Sequence, residues 1–322
     1  MSGHIEISLI VPMFNEDEVV KIFFDRITPI LSAITESYEI ICVNDGSQDQ
    51  TLDLLIEARA NNPRIKVINL SRNFGKEAAL TAGIDYAVGR AVIPIDADLQ
   101  DEPELIAEMV AKWREGYDTV IAVRADRRSD SRFKRWTANL FYRVMGRVSE
   151  VPIPSNAGDF RLLDRRVVEA LKQLPERTRF MKGLFAWLGF RQAFVTYSRP
   201  ERAAGATKWR YWRLWNFALE GVTSFTSLPL IIWTYIGALI ATGAFLYALY
   251  IALRTLLFGV DIPGYASIVV ILLFFNGLNM LGIGIVGEYL ARVFIEVKNR
   301  PLYLVRDRYG FDDSTEQPVN GK

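Results

Sequence analysis

One cysteine and one histidine leave this 322-residue chain without the groups that several chemistries require. Cys42 alone excludes an intramolecular disulfide and any cysteine-rich metal centre. Within the apolar run Ile40-Ile41-Cys42-Val43 it reads as a small core residue. His4 stands four residues from the start, where a side chain is ordinarily solvated. Neither Ser-His-Asp hydrolysis nor an HExxH zinc site can be built from it. Charge of one sign is also scarce. The formal net charge is +1, which argues against a nucleic-acid partner. No basic segment precedes the first apolar residues, and residues 7–11 are too short for a signal-peptide core. No GxGxxG follows the first apolar run and no GxxxxGK[ST] occurs, so dinucleotide and P-loop fingerprints are both missing.

The C-terminal third lacks charge over long stretches. Residues 230–253 carry none and end at Arg254; residues 262–287 carry none and end at Glu288. Each run exceeds the roughly 20 residues a helix needs to cross a hydrocarbon core. The short connection between them predicts a hairpin, with transmembrane helices at about 229–253 and 264–288. Lys208, Arg210 and Arg213 precede the first run, and Arg292, Lys298 and Arg300 follow the second, while the turn holds Arg254 alone. By the positive-inside rule both termini lie in the cytoplasm, at an inner membrane crossed twice. Gly237, Gly243, Gly277, Gly282, Gly284 and Gly287 predict close helix packing, within the hairpin or between subunits of a homo-oligomer. The string Lys208-Trp209-Arg210-Tyr211-Trp212-Arg213 mixes aromatic and basic residues as an interfacial amphipathic segment does, assigned to residues 201–228. Residues 292–322 form a cytoplasmic tail, polar and disordered in expectation from 312 onward.

The first 125 residues read differently. Short apolar runs at 5–12, 38–44, 65–70, 91–95 and 119–123 alternate with helical patterns starting at Glu16, Gln50, Lys76 and Glu102. Ser47 and Gln50 have the spacing of a capping box. Alternation of this kind predicts an α/β domain around a mostly parallel, doubly wound sheet, here residues 1–200. Ligands of such sheets bind beyond the carboxyl ends of the strands. Polar residues gather at those ends: Pro12-Met13-Phe14-Asn15-Glu16, Asn44-Asp45-Gly46-Ser47 and Asp96-Ala97-Asp98-Leu99-Gln100-Asp101. Asp96 and Asp98, two apart and followed by Gln100, are hard oxygen donors of the kind that suit Mg²⁺ or Mn²⁺ bridging a diphosphate. A DxD standing alone equally suits a solvated acidic turn.

Together these strings resemble family 2 glycosyltransferases of the A-type, Rossmann-like fold, and within them the polyprenyl-phosphate branch. Arg72-Asn73-Phe74-Gly75-Lys76, Gly158-Asp159-Phe160-Arg161-Leu162, the Arg199 to Lys208 segment and Gly287-Glu288-Tyr289 continue the match over roughly residues 5 to 308. Asn44-Asp45-Gly46-Ser47, in place of the commoner DDGS, and Phe180-Met181-Lys182-Gly183 resemble the bactoprenol glucosyl transferases of O-antigen modification, a cell-envelope reaction. The resemblance implies inverting transfer of a hexose, glucose from UDP-glucose, to undecaprenyl phosphate. GlcNAc, galactose or mannose are the alternative sugars. It implies that Pro12, Asn15, Glu16, Asp45, Lys76, Asp96 and Ala97 bind the nucleotide sugar, with Asp45 at the base. Asp98 and Gln100 would hold the metal, and Asp159 would be the catalytic carboxylate. Arg124, Arg202 and Lys208 would meet the lipid phosphate or the diphosphate.

Chemistry tempers the role of Asp159. A lipid monophosphate has its second pKa near ~6 and is already largely a dianion at neutral pH, so it needs orientation more than deprotonation. The lipid-linked sugar would then pass to a separate flippase and a downstream glycosyltransferase. A processive polysaccharide synthase would carry QxxRW and more spans, and the chain has no QxxRW. A non-catalytic, membrane-anchored nucleotide-sugar-binding adaptor is the other alternative.

Overall fold

The computed structural model describes residues 5–124, 157–177, 179, 181–197, 228–258 and 264–311. Eight strands form one sheet: β1 (Ile7–Met13), β2 (Tyr38–Asn44), β3 (Ile65–Leu70), β4 (Ala91–Pro94), β5 (Thr119–Arg124), β6 (Ala157–Asp164), β7 (Gln192–Tyr197) and β8 (Val305–Tyr309). Their order is β7-β5-β6-β4-β1-β2-β3-β8. Strands β4, β1, β2 and β3 run parallel, as do β5 and β7, whereas β6 and β8 are antiparallel to their neighbours. The five strands expected from the sequence are all present, and the sheet is α/β and mostly parallel.

Pleating explains why both faces are covered. Along β1, Ile7, Leu9, Val11 and Met13 enter one core with Phe23, Ile27 and Leu31 of α1 (Asp17–Ile34) and Met109 of α4 (Leu105–Arg114). Ile10 enters the other with Ala79, Leu80 and Ala82 of α3 (Lys76–Tyr86) and Val167 and Leu171 of α5 (Arg165–Lys172). Continuous burial of β1 and β2 is what a parallel strand covered on both faces requires. Helix α2 (Thr51–Asn61) begins one residue after Gln50 and does not use the expected capping box. Ser47 Oγ instead accepts from Asn15 N–H at 3.0 Å, and Asp49 Oδ1 accepts from Thr51 N–H at 3.0 Å. The shorter Asp side chain reaches the first-turn amide directly.

Three elements, β6, β7 and β8, were not legible as strands. β6 carries Asp159, and β8 comes from the segment assigned to the tail. β8 caps the β3 edge, where Asn69 Nδ2 donates to Asp307 Oδ2 at 2.9 Å. Asn69 Oδ1 in turn accepts from Asn44 Nδ2 at 2.9 Å. Asn44 is 1% exposed, so its position calls for a donor that aspartate lacks. Asn44→Asp should therefore set two acceptors against each other and destabilise the fold by about 1–3 kcal/mol. Denaturant titration with unchanged m-value checks this; unchanged stability would remove the amide chain from the account.

Helices α7 (Leu228–Phe258) and α8 (Tyr265–Val297) follow α6 (Met181–Trp187) in the described chain. Among the described residues no helix is long and apolar enough to cross a membrane. The transmembrane hairpin expected from the sequence is therefore not shown by the structure. Many of the described side chains on these two helices are nevertheless apolar and exposed, including Leu239 (75%), Leu256 (83%) and Val297 (76%). The glycine expectation also narrows. A Cβ on Gly282 would collide with Trp233 on α7, but among the described residues nothing lies within 4 Å of a Cβ on Gly237, Gly243, Gly277, Gly284 or Gly287.

Candidate active site

Pro12, Met13, Phe14, Glu16, Asp45, Asn73, Gly75, Lys76, Ala79, Asp96, Ala97 and Asp98 line one cleft of about 300 Å³ at the carboxyl ends of the parallel strands. Larger in volume, about 490 Å³, is a groove between α1 and α2 that shares none of these residues and lies away from the strand ends. The first gathers four acidic residues, Glu16, Asp45, Asp96 and Asp98, with Lys76 at the strand ends, whereas the groove holds Lys21, Asp25 and Glu57 on its two helices.

The sheet register explains how Asp159 joins the site from far along the chain. β6 runs antiparallel to β4, pairing Ala91 with Asp164 and Val92 with Leu163. Continuing that register brings Asp96, just past β4, opposite Asp159. Lys76, the first residue of α3, fills the space between them. Its Nζ lies 2.7 Å from Asp96 Oδ1 and 2.9 Å from Asp159 Oδ2. Burial alone would depress the Lys76 pKa, but Asp159 and Asp96 outweigh it and hold the ammonium charged well above its ordinary value. Asp96 moves up as well: burial dominates, Lys76 opposes it, and Asp159 and Asp101 add repulsion.

Asp45 lines the cleft and also builds it. Its Oδ1 accepts from Phe74 N–H at 2.7 Å and its Oδ2 from Gly75 N–H at 2.9 Å, which fixes the turn that delivers Lys76. Burial raises its pKa against those two bonds. Gly46 beside it has φ +69°, and a Cβ there would meet the Arg72 backbone at 2.5 Å, so the two loops close on each other only with glycine. Asn15, at φ 53°, is not among the lining residues. Its Oδ1 accepts from Gln48 N–H at 2.8 Å, tying the β1 loop to the β2 loop.

Glu16 is pushed above the usual carboxylate range by burial first, then by Asp98, Asp49 and Asp96. Crowded carboxylate oxygens of this kind fit a hard divalent cation. Among the described residues no group of three or more His, Cys, Asp or Glu is placed to hold a metal alone. A cation at Asp98 would therefore complete its shell with diphosphate oxygens, as Mg²⁺ commonly does. Gln100, the expected second ligand, is not among the lining residues, and its N–H donates to Asp98 Oδ1 at 3.1 Å. Leu99 between them sits at φ 52°, a strained conformation for leucine. Beyond this turn, Asp101 Oδ1 accepts from Tyr197 O–H at 2.7 Å, both residues buried.

Arg202 and Lys208 lie outside the described residues, as does the side chain of Arg124 at the end of β5. Arg161 lies within the Gly158-Asp159-Phe160-Arg161-Leu162 string but is not among the site residues that the sequence predicts. Two residues beyond Asp159 on β6, it is 3% exposed and its guanidinium stacks over the Phe185 ring at 4.2 Å. Burial lowers its pKa to about 10 against the pull of Asp159 and Glu77. The period-2 alternation of Asp159 and Arg161 was the available signal. Phe14 and Asn73 also line the cleft, and their neighbours in the same strings were the ones singled out.

Residues 8–172 match the model of glycosyl transferase family 2. The chain belongs to that family. An uncharacterised glycosyltransferase of Synechocystis is 57% identical over 308 residues, covering 96% of this chain and 97% of the relative. The SfII prophage-derived bactoprenol glucosyl transferase of Shigella flexneri is 46% identical over 301 residues, covering 94% of this chain and 97% of the relative. Among solved structures, mannosyl-3-phosphoglycerate synthase from Rubrobacter xylanophilus is 18% identical with a TM-score of 0.47, over 68% of this chain and 72% of that one. This glycosyltransferase thus carries its acidic cluster inside the residues that define the family.

Proposed function

We propose that this glycosyltransferase moves glucose from UDP-glucose to a polyprenyl phosphate, undecaprenyl phosphate, at the surface of a membrane. The observation that carries the reading is the lysine-bridged pair Asp96 and Asp159, set opposite each other at a cleft that also holds Asp98. The likeness to a bactoprenol glucosyl transferase supports the acceptor and the sugar. Pro12, Glu16, Asp45, Asp96 and Ala97 form the nucleotide-sugar wall, and Asn15 braces it. A divalent ion, Mg²⁺ or Mn²⁺, would supply charge neutralisation at the departing diphosphate, with Asp98 as its protein ligand. Lys76 stands where a cation can also reach diphosphate oxygens.

The reaction is one in-line displacement. An oxygen of the acceptor phosphate forms a bond to the sugar C1 as the bond from C1 to the diphosphate oxygen breaks. The electron pair leaves with UDP, and the anomeric configuration inverts. Asp159 orients the acceptor phosphate or stabilises positive charge developing at C1. No covalent intermediate on the protein is needed. Arg202, Lys208 and Arg124 are the candidate contacts of the acceptor phosphate. The charge-free runs 230–253 and 262–287 support seating of α7 and α8 in the membrane, with the sheet domain on the cytoplasmic side.

The test is transfer of labelled sugar from UDP- and GDP-sugars to undecaprenyl phosphate, with Mn²⁺ or EDTA. One donor should label the lipid, EDTA should abolish the label, and Asp98→Ala should lose the metal requirement together with the rate. Mn²⁺ should also raise the melting temperature of the wild type at pH 7. That shift should shrink on acidification, because Glu16 takes up its proton at a higher pH than an ordinary carboxylate and protonation opposes cation binding. A nucleotide sugar that binds but is never transferred would favour the adaptor reading instead.

A further inference from the structure

A second pocket, of about 290 Å³, lies at the foot of α8, lined by Arg177, Phe294, Ile295, Lys298, Arg300 and Leu302. Pro301 completes its wall. Its chemistry is amphipathic: three cationic residues and an apolar wall face one space. Two of the cations, Arg177 and Lys298, are positioned by their surroundings. Arg177 Nη1 donates to Arg300 O at 2.8 Å and Nη2 to Asn299 Oδ1, which orients the guanidinium. Lys298 Nζ is held 4.0 Å from the centroid of the Phe294 ring. The nearby carboxylate of Glu296 is engaged by the Arg177 backbone N–H, at 2.9 and 3.0 Å to its two oxygens. Cationic groups therefore outnumber carboxylates here.

The approach to this pocket is apolar. Leu290 (64% exposed), Val293 (54%), Phe294 (57%) and Val297 (76%) keep side chains on the surface of α8 down to the pocket. An apolar helix face that ends in fixed cations matches a molecule with an acyl chain and an anionic head. We propose that this pocket binds the phosphate head of an anionic bilayer phospholipid, whose acyl chains run along α8, and that it is distinct from the acceptor site beside Asp159. The site stands on the seating of α7 and α8 in the membrane proposed above. The bound lipid would hold the C-terminal segment against the sheet domain, to which β8 and the Tyr303 O–H to Asp85 bond of 2.8 Å already tie it.

The experiment places the full chain in nanodiscs of phosphatidylcholine, with or without phosphatidylglycerol, and counts lipids retained after detergent extraction by native mass spectrometry. Wild type should retain phosphatidylglycerol roughly tenfold over phosphatidylcholine. The double variant Lys298→Ala/Arg300→Ala should lose that preference while binding UDP-glucose as before. Equal retention by wild type and variant overturns the proposal. Displacement of phosphatidylglycerol by millimolar inorganic phosphate in the nanodisc would also overturn it, by assigning the pocket to the free anion. Equal association with neutral and anionic nanodiscs would sink the pocket and leave the membrane seating standing. Association with neither would sink both.

Discussion

Asp159→Asn should lower the rate of sugar transfer by about 10²–10³-fold and leave binding of the nucleotide sugar nearly unchanged. Asp159 is not among the residues lining the donor cleft and meets it through Lys76. Asparagine keeps the shape but removes the charge that can orient an acceptor or stabilise a cationic C1. The pH profile then separates the two roles open to this carboxylate. If it orients and stabilises, the acid limb set by the acceptor phosphate, with its second pKa near ~6, persists in the variant at lower amplitude. If the limb disappears in Asp159→Asn, the limb belonged to Asp159, and proton acceptance replaces orientation as its task. Equal rates in wild type and variant would remove Asp159 from the chemistry.

The cluster at the strand ends was legible because parallel sheets concentrate function there, and residues with no reason to be in a core stood out against apolar runs. Asp45, Asp96 and Asp98 were found that way, and so was the lysine that opens α3. Their pairing was not legible. That Asp96 faces Asp159 depends on β6 being antiparallel, and local pattern carries no information on which distant strand inserts between β4 and β5. The resemblance supplied Asp159 as a residue but not as the partner of Asp96. The substitution Asn44 was visible as a departure from DDGS, while its reason lies in β8, a strand 238 residues from the Asn69 it contacts. Arg161 was hidden differently. A buried arginine looks like any charged residue in a string until its stacking partner is known. The capping box failed because spacing identifies two candidates and geometry chooses a third, Asp49, within the same five residues.

Lys76→Met carries the second large effect, a fall in kcat/KM of about 10²-fold, equivalent to about 2.7 kcal/mol of lost stabilisation. Methionine preserves length and packing but leaves Asp96 and Asp159 facing each other without the ammonium between them. Asp96 is already raised by burial, and its chief opposing influence is Lys76. Its proton affinity should therefore rise further, and the acid limb of the activity profile should move to higher pH. Stability follows the same sign. The lysine has a folded pKa above its unfolded value of ~10.4, so its contribution is fully present below that pH and is lost only as pH rises through the folded value. With the side chain 44% exposed, solvent screening limits the deficit of the variant to about 1 kcal/mol at pH 7. Asp96, raised in the fold, contributes stability only while protonated, so the deficit should shrink as pH falls through its folded pKa. Urea titrations of both proteins at pH 5 and pH 7 check the sign. A deficit that grows on acidification would mean that Lys76 stabilises the fold by some route other than this pair, and a variant with unchanged donor KM and rate would remove it from diphosphate recognition.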